Sequence, residues 1–266
     1  MLPGILGFVG PNEGGFGENE IGPQIFKTGC LIGHGDNCFN RASGLMVLAA
    51  LIVVTLFLVA FRNPKVVPTG LQNAMESIVE FIRNGIVMEV MGPQGLPWVP
   101  FLTSMFMFIF VANVFEILPF INFPATSRFA IPIFLAVLVW ILFNVVGIKE
   151  QGLGGYLRSN LFPPGVPPAL YILVTPIEFV STFIVRPFSL SVRLFGNMFA
   201  GHLILTIFAL GTVYLLLKPA TLIFAPFSFA LAVFLTAFEL LVAVLQAYIF
   251  TILTAVYVGT AMHPEH

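Results

Sequence analysis

The sequence predicts an all-α membrane protein: five membrane-crossing helical segments and one interfacial amphipathic helix, ending in a long tilted helical hairpin. Three observations lead there. Of 266 residues, 58% are hydrophobic and only 9% are charged, with a mean hydropathy of +1.01. A soluble domain carries about a quarter of its residues as charges, so most of this chain's solvent is lipid. The apolar residues gather in runs long enough to cross a hydrocarbon layer about 30 Å thick. The last two runs exceed one vertical crossing and are divided by Lys218-Pro219. A net charge of −1 gives no general attraction to nucleic acid. Membrane lipid is therefore an expected partner, nucleic acid is not, and each of the few charges counts individually.

Residues 1–40 are rich in Gly, Pro and Asn and read as an extramembrane N-terminal segment; residues 41–266 read as a single transmembrane domain. Cys30 and Cys38 flank His34 and Asp36. They read as two unconnected thiols, or as a small-loop disulfide in an oxidising compartment. Paired zinc spacing is missing, so no metal site is expected. The first residues lack a basic stretch before Leu2, Ile5 and Leu6, and no cleavable signal peptide is expected.

Residues 44–61 are uncharged and rise about 27 Å as helix, a first span ending at Arg62-Asn63-Pro64-Lys65. Over 70–91, Leu71, Met75, Ile78, Val79, Ile82 and Ile86 recur at helical spacing among Gln72, Glu76, Glu80 and Arg83. That is an amphipathic helix, lying in the interface or packed on other protein. The second span covers 97–119, with Asn113 and Glu116 near its end, and the third covers 129–148. A breaker-rich connector follows over 149–168, with four glycines and four prolines. The segments 169–217 and 221–261 would rise about 73 and 61 Å as continuous helices, so they must tilt, bend or break, with Pro187 and Pro226 as bending points. Lys and Arg are almost evenly shared between the two sets of loops, so charge alone does not orient the chain.

Ionisable groups inside apolar segments are costly and point to function. Here they are Glu178, Arg186, Arg193, His202 and Glu239, with Glu116 nearer an interface and Asn197 and Gln246 as polar companions. Arg186, next to Pro187, reads equally as a snorkelling end charge. Arg193 lies among Leu190, Val192, Leu194 and Phe195, where function is the better reading. Seven helical residues turn about 700°, so Arg186 shares a face with Arg193, and Glu239 with Gln246, if Pro187 leaves the register intact. Folding the last two segments about Lys218–Thr221 puts Arg193 level with Gln246, and His202 level with Glu239. Arginine keeps its proton, so Arg193 cannot relay one; it can hold a carboxylate ionised and repel cations. The His202–Glu239 pair, about 13 Å nearer the turn, suits proton transfer with water. Glu178 lies about 22 Å away on the other side. Acids on both sides of a permanent cation fit two offset polar passages separated by an electrostatic barrier.

The run PFSLSVRLFGNMFAGHLIL at 187–205 resembles the signature of subunit a of the rotary (F-type) ATP synthase membrane sector. LLVAVLQAYIFTILTAVYV at 240–258 is similar to that family's last helix, and ANVFEILPF at 112–120 also fits. The resemblance implies that Arg193 faces a ring of c subunits, with Asn197 and Gln246 as its polar neighbours. It implies that His202 and Glu239 hold two positions where many bacterial relatives carry the acid first and the histidine second. Glu116 then lies on the inlet passage and Glu178 on the outlet. It further implies an N-terminus outside the membrane, peripheral-stalk b-type subunits and the remaining ATP synthase subunits as partners, and no cofactor.

The function expected is a stator subunit whose two proton half-channels couple proton translocation to ATP synthesis and hydrolysis, in a bacterial plasma membrane or a mitochondrial inner membrane. No catalytic residue is expected. A self-contained proton-coupled secondary transporter is the alternative, but it should show related halves with broken helices, and the first half here lacks matching charges. An intramembrane enzyme would need a motif such as HExxH or GxSxG, and neither occurs.

Overall fold

The computed structural model describes residues 30–32, 39–118, 130–162, 167, 170–217 and 219–262. Two short strands, β1 (Cys30–Ile32) and β2 (Phe39–Asn40), pair antiparallel with Cys30 opposite Asn40. Cys38, His34 and Asp36 lie outside the described residues. The helices are α1 (Arg41–Ala60), α2 (Leu71–Ile82), α3 (Val99–Ile117), α4 (Ala130–Leu161), α5 (Tyr171–Val180), α6 (Arg186–Leu217) and α7 (Ala225–Met262). Among the described residues, five stretches are long and apolar enough to cross a membrane: Ser43–Ala60, Pro93–Phe115, Ala130–Leu161, Tyr171–Leu217 and Thr221–Met262. The protein is an all-α, multi-pass membrane protein, with α2 as its amphipathic helix.

The packing is that of a chain whose solvent is oil. Val47, Leu51 and Leu58 of α1, Phe134 and Ile141 of α4, and Phe227 and Phe234 of α7 are exposed. Lipid tails are as apolar as these side chains, so helix association rests on close contact and on satisfied polar groups. Small residues supply the contact: Ala243, Ala247, Ala255 and Ala261 lie buried along α7. Thr103, Thr251 and Thr254 return their hydroxyls to carbonyls of their own helices at 2.8 Å, which satisfies these three donors without water. The main core joins Ile82 and Ile86 at the end of α2, Leu102 and Ile109 of α3, Phe143 of α4, Leu194 of α6 and Phe250 of α7. Helix α1 joins this core through Val53 and Ala60, and makes a second, smaller cluster through Leu45 and Ala49 on Ala112 and Phe115 of α3.

Buried Gln72 ties α2 to the loop before it. Its Nε2 donates to the Lys65 carbonyl at 3.0 Å and to Glu76 Oε1 at 2.7 Å, while the Lys65 N–H donates to Gln72 Oε1 at 3.1 Å. A π-helical turn, Arg83–Val87, prolongs α2 and brings Ile86 and Val87 into the core together.

Three sequence expectations change in detail. Helix α4 does not stop at residue 148 but runs to Leu161, across a break at Gly152, whose φ of 71° and ψ of 160° are not helical. The breakers thus act at one residue and the chain folds back as helix: the Tyr156 ring lies on Gly147, and its hydroxyl donates to Asn144 Oδ1 at 3.0 Å. Gln151 secures this fold to the end of α7 by donating to the Ala261 carbonyl at 2.7 Å. At Pro187 the helix answers with a π-helical turn, Ser181–Val185, just upstream. A proline ring collides with the carbonyl four residues back, here that of Phe183, and a widened turn relieves the collision. Pro226 bends no helix interior; it occupies the first turn of α7, where its missing N–H has no intrahelical acceptor to lose.

Helices α6 and α7 form the terminal hairpin through the short 3-10 turn Pro219–Phe224. Near the turn the Thr212 hydroxyl donates to the Phe208 carbonyl at 2.8 Å. Ser228 Oγ, 3.0 Å from Thr212 Oγ1, donates to the same carbonyl at 3.2 Å. These bonds fix the register that sets every depth relation further along.

Replacing Gly152 with alanine forces a side chain into a backbone region open almost only to glycine, for a loss of about 1–3 kcal/mol. G152A is expected to lower the thermal unfolding temperature of the detergent-purified protein. G154A, where an added methyl meets open space, is expected to leave it unchanged.

Candidate functional site

Leu190, Leu194, Met198 and His202 repeat every four residues and form the buried stripe of α6. Arg193 stands beside that stripe and is exposed, with Asn197 half-buried one turn on. Around Arg193 the helix surface is low. Ser189 and Ala200 are small and exposed, and at Gly196 an added Cβ would meet open space. None of the carboxylates whose side chains are described pairs with Arg193, and no hydrogen bond joins it to Asn197 or Gln246. The guanidinium is thus presented outward from the hairpin on an otherwise apolar surface.

His202 and Glu239 are buried, at 5% and 8% exposure. The hairpin register brings the Glu239 carboxyl onto the backbone of Gly201, the residue before His202, so closely that a Cβ there would overlap it. Imidazole and carboxyl are thus both interior groups of the α6–α7 hairpin, the carboxyl lying against the residue that precedes the histidine. Each can give or take a proton, which the arginine cannot.

Gln246 is buried at 4% exposure, one turn along α7 from Ala243. The Ala243 carbonyl accepts from Asn113 Nδ2 of α3 at 3.5 Å. Asn113 is itself only 2% exposed. Among the described residues, Asn113 Oδ1 and Gln246 Nε2 have no partner. A leftover acceptor and a leftover donor on facing helices mark a place for ordered water. Sequence reasoning passed over Asn113 as a site residue. The available signal was its spacing of three from Glu116, which puts both on one face of α3. The backbone of Glu116 lies in the last turn of α3, and its side chain lies outside the described residues.

Glu178 is half-buried on α5, beyond the π-helical turn and on the opposite side of Arg193 from His202. Arg186 is half-buried as well, its Cζ 5.3 Å from the centroid of the Tyr257 ring. The structure thus brings Glu239 onto Gly201, the residue before His202, and leaves Arg193, Gln246 and Glu178 as separate stations along the hairpin. Among the described residues no cluster of three His, Cys, Asp or Glu could hold a metal ion. The chemistry on offer is proton exchange at His202 and Glu239, water ordering at Asn113 and Gln246, and a fixed charge at Arg193.

Residues 43–259 match the family described as the ATP synthase A chain. The chain is similar to proteins named ATP synthase subunit a from several bacteria. It is 46% identical to that of Frankia alni over 262 residues, covering 98% of this chain and 88% of the relative. It is 46% identical to that of a Parafrankia species, covering 90% and 83%, and 41% identical to that of Rhodococcus erythropolis, covering 91% and 89%.

Adding a methyl at Gly201 is expected to push the Glu239 carboxyl off α6 and destabilise the protein by about 1–3 kcal/mol, as overpacking does. Thermal unfolding of the purified protein measures it. E239D, one methylene shorter, should recover part of the loss in the G201A background, and G196A alone should show none.

Proposed function

The chain belongs to the family of the ATP synthase A chain, and from that membership we propose that it is the stationary membrane subunit whose two proton half-channels face a rotating ring of c subunits. In this role it couples proton translocation to ATP synthesis and hydrolysis. It changes no bond itself. Its partners are the c-ring, the b-type subunits of the peripheral stalk and the remaining ATP synthase subunits. Its N-terminus lies outside, and the bacterial relatives support a bacterial plasma membrane.

Protons enter past Glu116, through the water-ordering amides Asn113 and Gln246, to the His202–Glu239 pair. From there they neutralise a carboxylate on a passing c subunit, and a neutral carboxyl can turn into lipid where an ionised one cannot. Beyond Arg193 the site releases its proton towards Glu178. Arg193 attracts the emptied carboxylate, aided by Asn197, and repels any proton that would cross directly from inlet to outlet. The membrane potential supplies about 2.3 kcal/mol per charge per 100 mV.

The single observation behind this reading is the outward presentation of Arg193. A permanent charge on an apolar helix surface, with no described carboxylate of its own chain to pair with, calls for a partner carboxylate from outside the chain. The low relief at Ser189, Gly196 and Ala200 lets another helix approach that charge closely.

R193Q should abolish proton-driven ATP synthesis in vesicles holding the whole complex, a loss of at least about a hundredfold. That corresponds to removing a charge pair of about 3 kcal/mol from an obligatory step. ATP hydrolysis by the soluble sector should persist. Normal synthesis by R193Q would remove the basis for the proposal.

A further inference from the structure

We propose that Arg186, seated on Tyr257, is a positioning residue for proton release: a second fixed cation that keeps the route from Arg193 to Glu178 electropositive, so that released protons do not return. The inference rests on the reading of the chain given above and assigns to Arg186 a part that the barrier at Arg193 does not need.

The register carries the first step. In an unbroken α-helix the eight residues from Glu178 to Arg186 would leave the two side chains about 80° apart. The π-helical turn Ser181–Val185 lies between them and absorbs one residue. The remaining seven steps turn about 700°, close to two full turns, and seven more lead from Arg186 to Arg193. Glu178, Arg186 and Arg193 therefore line one face. Thr182 lies on the same face, one turn after Glu178.

Cover then separates the two arginines. Arg193 is exposed, whereas Arg186 is half-buried with its guanidinium over Tyr257. An aromatic face holds a cation without cancelling its charge, as a carboxylate partner would. None of the described carboxylates pairs with Arg186. The charge is thus anchored and still available to its surroundings.

The surroundings can carry water. Thr182 is buried at 1% exposure, and its hydroxyl has no partner among the described residues. Tyr156, folded back from Gly152, presents a hydroxyl bound to Asn144, and Gln151 binds the Ala261 carbonyl beside it. Among the described residues, the titratable groups that neighbour Arg186 are Tyr156 from α4 and Tyr257 from α7, with Glu178 and Arg193 along its own face. Lys149, Glu150 and Arg158 of α4 are exposed, and Glu239 lies far up the hairpin beside Gly201. The π-helical turn and the turn before α7 bring no ionisable group. A fixed cation at this station disfavours returning protons.

The test uses the whole complex in proteoliposomes, stripped of its soluble sector, under a fixed potassium diffusion potential. Initial proton flux is read against outlet-side pH at constant inlet-side pH, and then the reverse. In R186Q the outlet-side pH for half-maximal flux should rise by about half to one unit, because release now needs a lower proton concentration. The inlet-side profile should stay in place, and R186K should restore the original outlet profile. An outlet profile of R186Q that coincides with the parent, or equal shifts on both sides, overturns the inference. Should R186Q not assemble, Y257L decides. A smaller upward shift of the outlet profile supports the seat, and an unmoved profile overturns it. The two readings fail separately: normal ATP synthesis by R193Q overturns the function itself, whereas an inactive R193Q beside an unshifted R186Q overturns only the role of Arg186.

Discussion

A guanidinium keeps its proton at any accessible pH, and hydrocarbon gives a bare charge no solvent. The arrangement of the last hundred residues follows from that constraint. Arg193 is exposed to the outside of the hairpin, so its solvation must be completed by something beyond this chain. The other ionisable groups in the same helices are treated differently. His202 and Glu239 are buried against each other's helices, and Arg186 is laid on an aromatic ring. The charge that faces outward is thus the one with no described partner of its own.

Such discrimination needs a rigid ruler, and the hairpin provides it. Thr212, Ser228 and the Phe208 carbonyl fix α6 against α7 near the turn. Gly201 against Glu239 fixes them again further along. Between those two points a slip by one residue would rotate each side chain by about 100°. That would bury Arg193 or expose Glu239, each a severe penalty in lipid. Register and charge placement therefore enforce one another.

Much of this was legible in the sequence, because lipid leaves few options. Runs of apolar residues near thirty ångströms long, one amphipathic stretch and a Lys-Pro divide lead directly to crossing segments, α2 and the hairpin. Levelling His202 with Glu239 needed only the turn position. What was not legible depended on atoms meeting across the fold. The glycines and prolines after residue 148 read as a loop, since nothing local says that Gly152 alone will take the turn and Tyr156 will repack on Gly147. Pro187 announced a disturbance but not its form. A π-helical turn changes the register by one residue, and a sequence periodicity cannot supply that step. Asn113 was visible as a polar residue in an apolar span, yet its significance appears only beside Ala243 and Gln246 of a distant helix.

The order of histidine and acid in the pair also has a steric basis. At Gly201 the Glu239 carboxyl lies against backbone rather than against a side chain. The carboxyl reaching across from 239 therefore arrives at the residue just before His202. Exchanging carboxyl and imidazole between the two positions keeps them adjacent, because the gap belongs to the glycine and not to either partner. The pair can thus be written in either order on this backbone, provided that position 201 carries no Cβ. Gly201, which has no protons to exchange, thus leaves the room that the Glu239 carboxyl occupies.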